Sequence, residues 1–109
     1  QGASPLKANN QIASLARAKS QDMVDKNYFS HQSPTYGSPF DMLKNGGESY
    51  MYAGENIAMN QTVDGAFKAW MNSEGHRKNI LNPNFTELGV GIAPKGNGSY
   101  VYTQLFIGK

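Results

Sequence analysis

Apolar and polar residues follow two different periods along this 109-residue chain. The helical period comes first. In "ANNQIASLARAKSQDMVDKN" Ile12, Leu15, Ala16 and Met23 recur on one face, and Lys19 falls where the spacing calls for another apolar residue. The pattern predicts a helix over 8–27. "YFSHQSPTYGSPF" is rich in Ser, Pro and Gly and reads as loop. Ser38, Pro39 and Asp41 then stand in the order of a cap, a first-turn proline and an acid three residues on, and Gly46 and Gly47 end that short helix. "SYMYAGENIAMN" reads as a strand or extended segment interrupted by Gly54. Thr62 opens a further helix, in which Val63, Ala66, Phe67, Trp70 and Met71 form a wide apolar stripe expected to enter the core.

The period then drops to two. In "ELGVGIA" Leu88, Val90 and Ile92 share one face, while Gly89, Gly91 and Ala93 make the other small enough for close approach. "SYVYTQLFI" follows after "PKGNG", whose Gly96, Asn97 and Gly98 suit a hairpin turn. Helices followed by an antiparallel hairpin predict an α+β fold rather than alternating βαβ units. The segment "WMNSEGHRKNIL" joins the two halves. Gly75 predicts a break or kink there, and Ser73 the cap of a second short helix, "EGHRKNIL". Glu74 suits the start of that helix, where the dipole favours an anion. His76 falls in its first turn, where the same dipole disfavours the imidazolium. A neutral histidine serves as a metal ligand and does little for the helix, so its placement points toward function.

Length and charge narrow the classes. A chain of 109 residues fits one domain, 1–109, with one core that buries roughly 65% of the unfolded surface. The formal net charge of +2 comes from scattered residues, which predicts no nucleic-acid partner. No apolar run approaches the roughly 18 residues of a membrane span. No charged and apolar leader precedes "QGASPLKANN", so a mature form or trimmed piece is expected. The absence of cysteine removes disulfides, thiolate nucleophiles and thiolate metal sites. N-x-S/T triplets at Asn60, Asn84 and Asn97 arise easily in an Asn-rich chain. Glycine-rich nucleotide loops, H-E-x-x-H and G-x-S-x-G are missing, and nothing singles out a triad serine.

Four polar residues remain as candidate chemistry: His31 in the loop, Glu55 in "AGEN", and Glu74 and His76 in "SEGH". Two imidazoles with two carboxylates fit a metal site, with His31 and His76 as ligands and the carboxylates as ligands or orienters. They equally fit an acid–base pair in which a carboxylate fixes an imidazole tautomer. The residues leave both open, and also a purely structural role.

The succession "YFSH", "GENIA", "AWMNSEGHRKNIL", "LGVGIA" and "YVYTQLF" resembles the CAP superfamily, the SCP-like extracellular domains, in its short bacterial branch. The resemblance runs from about Leu6 to Phe106. It implies an α-β-α sandwich with a central antiparallel sheet between helical layers, and a cleft lined by two histidines and two acids. His31 and His76 match the histidines and Glu55 the first acid. Glu74 is the acid between Trp70 and His76 that takes the place of the second. The resemblance further implies a secreted or surface monomer that binds zinc or another divalent metal, a small ligand or a cell-envelope component. Alternatives are a structural domain of the envelope and a metal-dependent protease or wall-acting hydrolase. Sterol binding is not expected, since no apolar lipid-binding loop stands out.

Overall fold

A computed structural model describes residues 6–108. In chain order the elements are β1 (Lys7–Ala8), α1 (Asn10–Asp25), α2 (Pro39–Asn45), β2 (Tyr52–Asn60), α3 (Val63–Asn72), α4 (Glu74–Leu81), β3 (Glu87–Gly96) and β4 (Ser99–Gly108). The strands form one sheet in the order β1-β3-β4-β2. β3, β4 and β2 are antiparallel neighbours, and β1 adds two residues parallel to β3. The sheet is therefore mixed rather than wholly antiparallel. The difference lies in a short segment with no apolar alternation to reveal it.

Helix starts follow their side chains. Asn9 Oδ1 accepts from the Ile12 amide ahead of α1. Ser38 and Asp41 form a reciprocal capping box around Pro39. Thr62 caps α3 by accepting from the Gly65 amide. At the hairpin, Gly96 pairs with Ser99, leaving Asn97 and Gly98 as a two-residue loop with φ of 56° and 80°. Both central residues at positive φ is what the right-handed strand twist asks of such a loop.

The small face of β3 does receive a close neighbour. A Cβ at Gly91 would lie 2.0 Å from the Arg17 nitrogen, and one at Gly89 2.2 Å from the Ala13 nitrogen. α1 thus lies backbone-close against β3, and Ser20 Oγ donates to the Gly91 carbonyl at 2.9 Å. On this side Ile12, Ala16 and Leu43 pack with Leu105 and Ile107, and Met23 packs with Ile57 and Val101. On the other side Ala66 and Trp70 of α3 and Ile80 of α4 pack with Ala58, Ile92 and Tyr102. The result is an α-β-α sandwich.

Three expectations need correction. Gly54 does not interrupt β2, which runs through it in register with Phe106. A Cβ there would stand 2.9 Å from the Phe85 ring, so the glycine marks a close approach. The α3 stripe is only half buried: Ala66 and Trp70 are inside, whereas Val63 and Phe67 are 58% and 46% exposed. One short helix turns a single arc to the sheet, and this stripe is wider than that arc. Gly75 is not the break either. The chain leaves α3 at Ser73 (φ −104°, ψ 121°), and Gly75 lies inside α4, where an added Cβ would meet open space among the described residues.

Candidate functional site

β2 is an edge strand, and its successive side chains point to opposite faces of the sheet. Glu55 faces the α1 layer and Asn56 the α4 layer. Each secures one of the two histidines.

Glu55 Oε1 lies 2.7 Å from His31 Nδ1. The Glu55 side chain is 1% exposed and that of His31 55%, so a buried carboxylate holds a ring that faces solvent. With Glu55 ionised, Nδ1–H donates and Nε2 is left to meet a ligand. Burial pushes the Glu55 carboxyl up, and the Lys19 cation and the bond from His31 act against it. Its second oxygen, Oε2, is buried with no hydrogen-bond partner among the described residues.

Lys19 is itself buried, at 1% exposure. Its ammonium donates to the His31 carbonyl at 2.7 Å and stands 5.5 Å from the centre of the Tyr28 ring. Desolvation lowers its pKa, while Glu55 and Asp22 favour the charged form. One turn along α1, Asp22 accepts from Tyr28 Oη at 2.5 Å, Ser33 Oγ at 2.7 Å and Thr35 Oγ1 at 2.7 Å. Burial alone would raise the Asp22 carboxyl; the three hydroxyl bonds, with Lys26, hold it below its usual value. Burial and the bond to Asp22 push the Tyr28 hydroxyl up.

These bonds make a pH prediction. Asp22 has a lowered folded-state pKa, so its stabilisation is fully present above the unfolded value of about 3.9 and is lost as pH falls through the folded value. Asp22→Asn should cost about 1–2 kcal/mol near neutrality. The gap to the parent protein should narrow in acid, once pH falls below the unfolded value and through the lower folded one. Urea denaturation near neutrality and in acid checks it, and a gap independent of pH would rule out the ionised acceptor.

His76 is secured from the other layer. Its Nδ1 lies 2.9 Å from Ser73 Oγ, and its carbonyl accepts from Asn56 Nδ2 at 3.1 Å. Asn56 Nδ2 also donates to Gln104 Oε1 at 3.1 Å, and Asn79 Nδ2 donates to Asn56 Oδ1 at 2.9 Å. Ser73 occupies the N-cap position, but its hydroxyl makes no cap bond to the backbone and serves the imidazole instead.

The four sequence candidates therefore separate. His31 and Glu55 meet directly, and His76 is anchored to the residue after Glu55. Glu74 joins neither. Its carboxylate is 3.8 Å from Lys78, with both side chains about three-quarters exposed. Helical phase explains this: residues two apart are roughly 200° around the axis, so Glu74 and His76 cannot share a face. Lys19, Asp22, Ser33, Asn56 and Asn79 were not among the candidates. Only Lys19 left a clear signal, as a lysine on an apolar stripe.

Among the described residues no three His, Asp or Glu side chains group as a metal-holding set. His31 and His76 each have Nδ1 engaged, by Glu55 and by Ser73. Three-ligand catalytic zinc is a different arrangement.

Known proteins are similar to this chain in sequence and in fold. The family model described as the cysteine-rich secretory protein family, CAP, matches residues 1–106. The uncharacterized protein YkwD of Bacillus subtilis is 64% identical over 110 residues, covering 100% of this chain and 42% of its own length. The uncharacterized membrane protein YlbC of the same organism is 47% identical, covering 97% of this chain and 30% of its own length. The chain thus spans less than half of either relative. An extracellular protein of Bacillus anthracis containing an SCP domain has a crystal structure that superposes with a TM-score of 0.88 at 47% identity, over 98% of this chain and 35% of that one. An outer surface protein of Borrelia burgdorferi reaches the same TM-score at 15% identity, over 98% of this chain and 80% of that one, which is likeness of fold alone. Although it carries no cysteine itself, the chain belongs to the cysteine-rich secretory protein, or CAP, family.

Proposed function

We propose that this domain works outside the cell or at its surface as a binding module, with His31 Nε2 as the primary contact for the ligand and His76 as the second. The observation that carries the reading is the half-exposed His31 ring held at Nδ1 by a carboxylate that is 1% exposed. Burying a carboxylate is costly unless its oxygens are met, and Glu55 leaves one unmet among the described residues. A buried acid so placed adds little stability, but it fixes the tautomer and direction of an outward-facing ring. That is the orienting role carboxylates have behind ligating histidines.

A divalent metal such as zinc suits these donors, with His31 and His76 holding it. When bound, such a cation would supply a positively charged point able to take an anionic or carbonyl oxygen from a larger ligand. The hydrolytic alternative needs a base directed at the ligand. Glu55 is committed to His31 and Glu74 lies on the outer face of α4, so binding is the better supported role. An extracellular place is supported by the 47% identical Bacillus anthracis protein, which is described as extracellular. No helix among the described residues is long and apolar enough to cross a membrane.

Zinc titration by calorimetry should give saturable heat with the parent protein and none with the His31→Ala/His76→Ala double variant. Equal heats from both would overturn the metal-binding form of the proposal.

A further inference from the structure

We propose that Lys19 and Asp22, one turn apart on α1, are positioning residues that preset His31 for its ligand. The inference rests on the binding role just assigned to His31. His31 lies in the stretch between α1 and α2, outside any regular element. A histidine on such a loop would ordinarily sample many directions. Here two α1 side chains grip the loop through four hydrogen bonds. Lys19 Nζ–H donates to the carbonyl of His31 itself at 2.7 Å. Asp22 gathers the hydroxyls of Tyr28, Ser33 and Thr35, so it is tied three residues before His31 and two and four residues after it. Ser33 and Gly37 close the segment with two reciprocal backbone bonds, of 2.8 and 3.0 Å. Ser33 Oγ also accepts from the Thr35 and Tyr36 amides.

Lys19 and Asp22 are both buried, at 1% and 6% exposure, so neither is placed to touch a ligand. A lysine in an apolar stripe gains nothing from the core around it. Methionine would fill the same space without the desolvation that Lys19 undergoes. What the ammonium adds is a donor to a loop carbonyl at the residue that carries the functional ring. Asp22 adds the complementary acceptor, and the loop is held from both sides of His31.

The two residues carry opposite charges, which makes the role testable. Lys19→Met removes a cation near the site, so through charge alone it would tighten zinc binding. Asp22→Ala removes an anion and through charge alone would weaken it. Positioning predicts that both weaken it, by about tenfold or more, the range found when partners behind ligating histidines are removed. A second readout needs no metal. Long-range nitrogen–proton NMR should show one His31 tautomer in the parent protein, with the proton on Nδ1. Both variants should show a mixture of Nδ1–H and Nε2–H forms, a change that loss of global stability does not produce in the folded state.

Opposite shifts in zinc affinity, or a single retained tautomer in both variants, would overturn the proposal. If the parent protein takes no zinc, the metal-binding reading fails while the tautomer measurement still decides the positioning role. Should either variant not fold, Asp22→Asn and Ser33→Ala loosen the same grip with less disruption and are read in the same two ways.

Discussion

Gly91→Ala should destabilise the protein by about 3 kcal/mol, the upper part of the usual range for overpacking. The melting temperature should fall by about 10 °C or more. The added methyl would stand 2.0 Å from the Arg17 nitrogen and 2.3 Å from both the Ala16 carbonyl carbon and the Arg17 Cα. All three are backbone atoms in the middle of a 16-residue helix, so no side chain can turn aside. α1 must lift from β3, and that displacement strains the Ser20 bond to the Gly91 carbonyl and the packing of Ile12 and Ala16. Gly75→Ala is the matching control. Among the described residues nothing lies within 4 Å of a Cβ at Gly75, which sits in α4. That change should stabilise by about 0.5–1 kcal/mol through reduced chain entropy and better helix propensity. Chemical denaturation of both variants checks the pair. A loss under about 1 kcal/mol at Gly91 would show that helix and strand are not in the contact described.

The contrast between these glycines shows what the sequence could and could not convey. At Gly89 and Gly91 the strand period put two glycines on one face, and a face without side chains implies a near neighbour. Gly75 has no periodic context, and its proximity to a helix junction invited the wrong inference: the junction is made by Ser73 in extended backbone. The α-β-α sandwich was legible because cap residues, turn residues and two hydrophobic periods agreed with the family motifs. β1 was not, because two residues contain no period.

The site was legible in its residue types and only partly in its geometry. Glu55 and Asn56 are adjacent in sequence yet serve opposite faces, a consequence of strand pleat that becomes meaningful once β2 is known to be an edge strand. Glu74 qualified by type and order, but helical phase turns it away from His76. The grip of Asp22 on Ser33 and Thr35 spans 11 and 13 residues of chain, and no local pattern announces it. Lys19 did announce itself, because a charged residue in an apolar stripe either breaks the stripe or has a buried partner.

Trp70→Ala should be the most damaging single truncation on the α3 side, at about 3–5 kcal/mol. Trp70 is 3% exposed and packs with Ala58, Ala66 and Tyr102, and its ring meets Phe67 edge-on at 6.2 Å. Its indole N–H donates to the Ile57 carbonyl at 3.0 Å, satisfying a backbone acceptor of the edge strand. Alanine removes the packing and leaves that carbonyl without its donor. Trp70→Phe should separate the two effects: most of the volume stays, so a loss of about 1–2 kcal/mol would be the share of the hydrogen bond and residual cavity. The consequence for the site should be lopsided. Ile80 of α4 packs on the same cluster, so loosening Trp70 loosens the layer that carries His76. His31, Glu55, Lys19 and Asp22 lie in the α1 layer and should keep their bonds. Circular dichroism during urea unfolding gives the stability, since the protein's one tryptophan is lost as a probe. Imidazole NMR of the folded Trp70→Phe protein should show His76 disturbed and His31 unchanged. Equal disturbance of both rings would mean that the two layers are coupled through β2, and that the histidines respond as a single unit.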